Sequence, residues 1–413
     1  MSDVVVGLDI GTSRIRAVIG EISESGVFQI TGVGTGQSTG LRKGVVVNIE
    51  NTVKTVSQAI EAAELMSGIE VSHCMIGIGG THIDGLNSRG VVAVTGKGRD
   101  NREIGQEDIN RVIDAAKAVV IPMDRQVIHV IPQSYIVDEQ RGIKDPRNMI
   151  GVRLESEVHI ITGSVTSVQN LVKCVNRASL DVDGYMFHSL AAVKAVMSEE
   201  ERELGSILID LGGGTTDVLV IADGAPLLTA VLPVGGIQVT NDISIVKGIS
   251  VETAERIKMD AGCCWLPLIE ENEEVIIPGV GGRPPVVIPR SAICELVQPR
   301  MAEIFGMINE RIQSVTRSRQ LSGNVVLTGG GALLPGVVEL ASEVFNTQAV
   351  RIGIPGNFGG LTSEYRSPDY ATVIGLVLAA QERRQSSPSE PEERERSAKP
   401  VMGKLRGWLK EFF

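Results

Sequence analysis

Hydrophobic and polar positions repeat along this chain with two different periods, and the alternation between them predicts its elements. Val4–Leu8 is a short apolar run of strand type, and Arg14–Ile22 alternates charged with apolar residues. Asn51–Leu65 carries Val53, Val56, Ile60 and Ala63 at helical spacing. Glu107–Val119 puts Ile109, Val112, Ile113 and Ala116 on one helix face, with Glu107 and Asp108 in the first turn, where acids suit the helix dipole. Val168, Leu171, Val172 and Val175 predict another helix. Met301, Ile304, Phe305, Ile308, Ile312 and Val315 predict a long one, entered after Pro299. Strands at Gln126–Ile131 and Ser134–Asp138 flank the Glu107–Val119 helix. Strands interleaved with helices predict α/β layering.

The pattern also echoes itself. Val4-Val5-Val6-Gly7-Leu8-Asp9-Ile10-Gly11-Thr12 is a strand that ends in Asp and runs into Gly-Thr. About 200 positions later, Ile207-Leu208-Ile209-Asp210-Leu211-Gly212-Gly213-Gly214-Thr215-Thr216-Asp217 has the same design. That spacing is too long for a solenoid and predicts two similar α/β domains facing each other. A third glycine run, Gly329-Gly330-Gly331, follows the strand-like Val325-Val326-Leu327-Thr328.

A strand ending in Asp-x-Gly-Thr can turn tightly and aim successive backbone N–H groups at one point, an anion nest. Gly11, Thr12, Ser13 and Arg14 would form one such nest, and Gly212, Gly213, Gly214, Thr215 and Thr216 the other. Asp9, Asp210 and Asp217 offer carboxylates for Mg²⁺, held through water because magnesium dehydrates reluctantly. Each turn leads into a strand rather than a helix, so both are hairpin tips; the chain has neither G-x-x-x-x-G-K-[ST] nor a G-x-G-x-x-G that opens a helix after its first strand. One such turn alone could be a mere hairpin connection; a matched pair points to a polyphosphate gripped from both sides.

Composition narrows the classes. At 413 residues the chain has room for two or three domains, and 43% hydrophobic with 22% charged residues excludes wholesale disorder. A net charge of −11 argues against a nucleic-acid partner, and 3% aromatics leave little for base stacking. No run reaches the ~18 apolar residues of a membrane span, and the first residues lack a basic region of signal-peptide type. Cys74, Cys174, Cys263, Cys264 and Cys294 show no C-x-x-C spacing and read as reduced thiols, Cys263-Cys264 as local packing.

The last residues change character. Residues 383–400 are rich in charge and proline and predict a disordered linker with a reach of ~20–25 Å. In 401–413, Met402, Leu405, Trp408, Leu409, Phe412 and Phe413 recur in steps of three and four, beside Lys404, Arg406 and Lys410. A short helix with such faces lies in a membrane interface, each basic residue adding ~1 kcal/mol toward anionic lipid. The other reading is a helix that docks on its own body or on a partner helix; a tether of this kind argues against it. An isolated helix of this length is marginal in water, so it is expected to fold on the bilayer and to hold firmly only in many copies.

At these loops the chain resembles the actin/Hsp70/hexokinase ATPase superfamily. Asp9–Arg14 is similar to its first phosphate loop, Asp210–Asp217 to its second, and Thr328–Gly336, with Gly329, Gly330, Gly331 and Leu333, to its adenosine motif. Ala254-Glu255-Arg256-Ile257-Lys258 resembles the helix whose Glu255 and Lys258 would contact ribose and adenine; by spacing alone they could equally be a solvated pair. Val234-Gly235-Gly236 resembles the tight turn beside the nucleotide. Within the superfamily, Gly32-Val33-Gly34 with Gly40-Leu41-Arg42-Lys43-Gly44, His129-Val130-Ile131-Pro132-Gln133, Gly142-Ile143-Lys144, Glu199–Gly205, Gly281-Gly282-Arg283-Pro284-Pro285 and the tail resemble the FtsA family of bacterial cell-division proteins, over 1–382 and again at the tail.

The resemblance implies an actin-like ATPase fold: two ribonuclease-H-like halves around a nucleotide cleft, with ATP and Mg²⁺ as cofactors. The first half would be 1–81 and 163–192, interrupted by an inserted subdomain at 82–162. The second would be 193–382, with a smaller subdomain at about 226–321. It implies a filament-forming adaptor that tethers the FtsZ ring, through the FtsZ C-terminal tail, to anionic lipid on the cytoplasmic face of the inner membrane. It also implies self-assembly and contacts with later division membrane proteins, and Arg300 matches a position implicated in FtsZ docking. One departure concerns catalysis. Vigorous ATPases place Glu or Gln before the second loop to orient water; His188 stands about there, and no carboxylate or carboxamide occurs from Met186 to Ser198. This predicts firm ATP binding and weak hydrolysis, with His188 either a water-orienting group or a satisfied, partly buried histidine. Alternatives on the same fold are a sugar or small-molecule kinase, which leaves the tail without purpose, an Hsp70-type chaperone, for which too little chain follows Gln381, and a rod-shape or pilus-assembly actin relative.

Overall fold

The computed structural model describes residues 3–22, 28–95, 103–279, 281–282, 284–316, 324–356, 358–360 and 362–386. The tail and residues 387–400 of the expected linker lie outside the described residues.

The chain begins with β1 (Asp3–Ile10), β2 (Arg14–Ile22), β3 (Phe28–Gln37), the short pair β4 (Leu41–Arg42) and β5 (Val45–Val46), α1 (Ile49–Ser67) and β6 (His73–Ile78). An insertion follows: β7 (Asp84–Ala93), α2 (Gln106–Lys117), β8 (Arg125–Val137), β9 (Gln140–Ile143) and β10 (Arg153–Ser164). Then come α3 (Val165–Arg177), β11 (Asp181–Phe187), α4 (His188–Val196) and α5 (Glu199–Leu204). A second body holds β12 (Ser206–Leu211), β13 (Thr216–Ala222), β14 (Ala225–Leu232), α6 (Gly236–Lys247), α7 (Val251–Ala261), β15 (Glu274–Ile277), β16 (Val286–Pro289), α8 (Ser291–Thr316), β17 (Asn324–Thr328), α9 (Val337–Phe345) and β18 (Val350–Ile352). The last elements are β19 (Gly359–Gly360), α10 (Thr362–Tyr365) and α11 (Ala371–Ser386).

Two sheets repeat one plan. In the first, β1, β2 and β3 form an antiparallel meander, with β6 and then β11 added in parallel beyond β1. In the second, β12, β13 and β14 form the meander, with β17 and then β18 in parallel beyond β12. Asp9 and Asp210 end the equivalent central strands. The echo in sequence is therefore an echo in topology: it gives the two similar α/β bodies that the pattern predicted, in the actin-like plan that the resemblance implied. The insertion is a separate four-stranded antiparallel sheet, β7-β10-β8-β9, with its own core around Val112, Ile113, Leu154 and Ile160. All five cysteines are buried and free. Among the described residues, no helix is long and apolar enough to cross a membrane.

The structure departs from the sequence reading in four places. First, residues up to 382 were assigned to the second half, but β19 pairs with β3 and α11 lies on β1, β6 and α4 of the first. Val373, Ile374, Leu376 and Val377 are fully buried there, a gain of roughly 2 kcal/mol apiece that local periodicity cannot assign to one half or the other. The same helix continues to Ser386, past the expected start of the linker. Second, Pro226–Leu232 belong to β14 and its sheet, not to the smaller subdomain. Third, Pro299 lies inside α8 rather than before it. Ile293, Cys294 and Val297 ahead of it are as buried as Met301 and Ile304 behind it, and burial on both sides outweighs the lost hydrogen bond. Fourth, the two strands predicted around Pro132 are one, β8, which absorbs the proline at a bulge.

The α11–α4 packing yields a test. A Cβ at Gly375 would stand 1.8 Å from the Ala191 carbonyl oxygen. Helix propensity favours Ala over Gly by ~1 kcal/mol, yet Gly375→Ala is expected to lose roughly 1–3 kcal/mol by overpacking. Thermal unfolding checks this; an unchanged or raised midpoint would show that the two helices can move apart freely.

Candidate functional site

The two hairpin tips share one geometry. A Cβ on Gly11 would meet the Arg14 carbonyl oxygen at 2.7 Å, and one on Gly212 would meet the Thr215 carbonyl oxygen at 2.8 Å. Each turn therefore folds back on the residue three positions on, and glycine is what leaves room for it. The tips also meet each other: a Cβ on Gly213 would fall 1.9 Å from Ser13 Oγ, and one on Gly214 2.7 Å from Thr12 Cγ2. Thr12 Oγ1 accepts from the Gly44 N–H at 2.9 Å, which holds the first tip against the Gly40–Gly44 turn.

Both tips line one cavity of about 350 Å³, within the range of small-molecule sites. Of the residues singled out in the sequence, the structure brings Asp9, Gly11, Thr12, Ser13, Arg14, His188, Asp210, Gly212, Gly213, Gly214, Thr215, Thr216 and Asp217 to it. Gly236, Glu255, Lys258, Gly329, Gly330, Gly331 and Leu333 line it too.

Three acids face inward. Asp9 Oδ1 lies 3.4 Å from His188 Nε2. Asp210 Oδ2 accepts from Thr372 Oγ1 at 3.3 Å. Asp217 is buried, and its Oδ1 has no hydrogen-bond partner among the described residues. Burial raises the Asp217 carboxyl to about 7, with His188 opposing the shift. Burial raises Asp210 as well, and the Asp9 charge adds to the rise. An orphaned oxygen among three hard donors suits a divalent cation. Among the described residues, no three acidic, histidine or cysteine side chains converge closely enough to cage a metal directly, so Mg²⁺ would be held here through its water shell.

The opposite end is built by the second body. Gly236 and Ile237 at the start of α6 donate N–H bonds to the carbonyls of Gly212 (3.0 Å) and Gly213 (2.9 Å), stapling that helix to the second tip. Lys258 Nζ donates to Glu255 Oε2 at 2.7 Å, Thr240 Oγ1 at 3.0 Å and the Gly236 carbonyl at 3.2 Å. The Glu255–Lys258 pair thus fixes α7 to α6 at the cavity wall. Gly329 has φ of +80°, and a Cβ there would stand 2.2 Å from Asp210 Oδ1. Only glycine fits a left-handed residue against a carboxylate.

Sequence reasoning missed some of the lining. Arg16, buried on β2, pairs with Asp369, and its guanidinium lies 4.8 Å from the Tyr370 ring centroid. Asp369 follows Pro368, whose carbonyl accepts from Gly329 N–H (3.1 Å) and Thr328 Oγ1 (2.8 Å). The segment returning to the first sheet therefore ties both bodies together beside the cavity. The alternation of Arg14 and Arg16 was the available signal; nothing local marks Asp369 or Thr372. Met259, Met301 and Ile304 add apolar wall. Arg300 is not at the cavity: it joins α8 to α6, with Nε 2.6 Å from Asp242 Oδ2 and a second pair to Glu303.

Comparison with known proteins gives a consistent picture. The family described as "Cell division protein FtsA" matches residues 207–375, and the "SHS2 domain inserted in FTSA" matches 80–162. The chain is 45% identical to the cell division protein FtsA of Borreliella burgdorferi, over 100% of this chain and 99% of that one. It is 41% identical to that of Pseudomonas aeruginosa, over 99% and 98%. Its fold is similar to the solved PilM–PilN type IV pilus biogenesis complex (TM-score 0.66, 14% identity, 91% of this chain and 98% of that chain). It is also similar to MreB5 of Spiroplasma citri bound to ADP (0.54, 12%, 93% and 99%) and to the MamK double helical filament (0.52, 14%, 92% and 98%).

Proposed function

This chain belongs to the FtsA family of cell division proteins, and on that premise we propose that it is an ATP-binding, filament-forming adaptor tying the FtsZ ring to the membrane. The observation that carries the reading is the pair of equivalent hairpin tips, Ile10–Arg14 and Leu211–Thr216, closing on one cavity with Asp9, Asp210 and Asp217. The tips would hold the phosphates on their backbone N–H groups and hydroxyls. The three carboxylates would orient hydrated Mg²⁺, which supplies charge neutralisation of the phosphates. Glu255, Lys258 and the Gly329–Leu333 turn would hold the adenosine. His188, beside Asp9, stands about where vigorous ATPases carry Glu or Gln, so turnover is expected well below one per second; a steady rate of many per second would overturn that part.

Self-assembly is supported by a fold shared with a filament protein, MamK, and by the family. The partners are the FtsZ C-terminal tail, later division membrane proteins and anionic lipid. The place of action is the cytoplasmic face of the inner membrane at the division site, held peripherally by residues 401–413. The Arg300 cluster, with Ile245 and Val246 exposed nearby on α6, is the proposed dock for the FtsZ tail. The test is co-sedimentation with anionic liposomes, with and without ATP and an FtsZ tail peptide. ATP is expected to increase the pelleted fraction, and Arg300→Ala to weaken peptide capture about tenfold or more while leaving ATP binding unchanged. Peptide capture unaltered by Arg300→Ala would move the dock elsewhere.

A further inference from the structure

The run His129-Val130-Ile131-Pro132-Gln133 has no part in the cavity. Its place is on the inserted sheet, and that sheet touches both halves of the molecule with one face. Register puts His159 opposite Asn87 on β7, and Ile161 opposite His129 on β8. Residues two apart on a strand share a face, so Asn87, His129 and His159 point the same way, while α2 covers the other side.

His129 meets the first half. Its Nε2 accepts the N–H of Phe187 at 2.9 Å. An amide can only donate, so this nitrogen carries no proton and the ring is neutral; burial holds it so, with the pKa lowered to about 3. Phe187 is the residue immediately before His188 at the cavity.

The second half is met by a polar trio. Asn87 Nδ2 donates to the Leu227 carbonyl at 3.0 Å, which fixes the orientation of the amide. Asn87 Oδ1 then accepts from His159 Nδ1–H at 2.7 Å, leaving His159 Nε2 to accept from the Thr229 hydroxyl at 2.8 Å. Gln133 is the extra residue at the bulge beside Pro132, and the bulge turns its side chain to the Pro226 carbonyl, 2.6 Å away, and to Asn87 Oδ1, 3.2 Å away. Leu227 is likewise the extra residue where the β13–β14 register slips, and β14 is an edge strand. A Cβ on Gly85 would stand 2.7 Å from Thr229 Cβ, so the two surfaces meet at backbone range.

The inserted subdomain leaves β6 and returns to α3, so by covalent connection it belongs to the first half alone. It is held to β14 by these hydrogen bonds and to α5 by the Lys144–Glu203 ion pair, none of them covalent. β14 pairs with β13, which begins at Thr216 and Asp217 in the cavity wall. Gly213 and Ser13 touch across the cleft, so a polyphosphate seated between the tips must part them and carry β12–β14 with it.

We propose that the Asn87–Gln133–His159 face is a latch on Pro226, Leu227 and Thr229 that opposes this parting, so that occupation of the cleft reorients the inserted subdomain while His129 keeps it on the first half. This rests on the nucleotide reading above. By linkage, a latch strained by the ligand must weaken the ligand in return. Thr229→Val removes one donor without changing shape; Asn87→Ala removes the hub of the trio from a more exposed position.

The experiment is a spin-label distance measurement on the full chain, between Val120→Cys in the insertion (97% exposed) and Glu343→Cys, exposed on α9 of the second body, paired with ATP calorimetry. In the parent, ATP is expected to shift the mean distance. In Thr229→Val and Asn87→Ala, the distribution is expected to broaden before ATP is added, and ATP to bind about fivefold tighter or more. ATP binding without a shift in the parent overturns the latch alone, as do parent-like distances and affinity in both variants. Absence of ATP binding in the parent overturns the nucleotide reading and the proposal with it.

Discussion

Asp217→Asn is expected to make the protein more stable and its nucleotide site nearly useless. Burial raises this carboxyl to about 7 from an ordinary 3.8. The folded state therefore takes up the proton more readily than the unfolded chain. The group's contribution to stability is complete below about pH 4 and declines as pH rises toward 7. At pH 7.5 the buried charge costs on the order of 4 kcal/mol, which the amide removes. In the absence of nucleotide and Mg²⁺, the melting midpoint of the variant should rise by several degrees, roughly 2–4 °C per kcal/mol for a sizeable domain. At pH 4.5 the difference should shrink, because the parent carboxyl is then protonated in the fold. Mg²⁺-dependent ATP binding should fall about 10–100-fold, as when a group that orients a metal's shell is lost. Scanning calorimetry at both pH values and titration with Mg-ATP separate the two effects. A variant that melts higher yet binds Mg-ATP like the parent would remove Asp217 from the proposed metal site. One that melts lower at pH 7.5 would mean that its charge is already compensated by His188.

The opposing signs follow from what the sequence shows and what it hides. Strand-Asp-x-Gly-Thr is legible because each residue has a local reason: apolar alternation for the strand, glycine for the turn, hydroxyl and carboxylate for the ligand. Its recurrence on an equivalent strand of a second sheet made the two-body plan legible as well. Burial of Asp217 is not local, since it depends on how β13 meets the other half across the cleft. The Arg16–Asp369 pair joins residues more than 350 positions apart, and no periodicity reports such a contact. The same holds for α11, whose apolar residues would suit either sheet. Pro132 and Pro299 misled in another way. Proline disfavours continuation of a helix by about 3 kcal/mol and removes a ladder hydrogen bond from a strand, and that local preference was outvoted by the burial of Ile131 and Tyr135 around one and of Val297 and Met301 around the other.

Trp408→Glu is expected to release the protein from anionic liposomes. On the proposed membrane reading of 401–413, the apolar Met402, Leu405, Trp408, Leu409, Phe412 and Phe413 and the cations Lys404, Arg406 and Lys410 would supply separable parts of the attraction. Loss of one large aromatic removes roughly 2 kcal/mol of burial, and a carboxylate facing anionic lipid adds about 1 kcal/mol of repulsion. The sum, about 3 kcal/mol, is over a hundredfold per copy. If the proposed filaments bind through many copies at once, the loss compounds with each subunit, and a polymer that pellets fully in the parent should stay in the supernatant. Phe412→Glu should behave alike. Replacing Lys404, Arg406 and Lys410 by Gln should matter on anionic vesicles at low salt and little on neutral ones. ATP binding and the melting midpoint should be unchanged in all of these, since none of the substituted residues lines the cavity. Liposome binding retained by both Trp408→Glu and Phe412→Glu would mean that some other surface meets the membrane, and the tail would then be read as a helix that docks on protein.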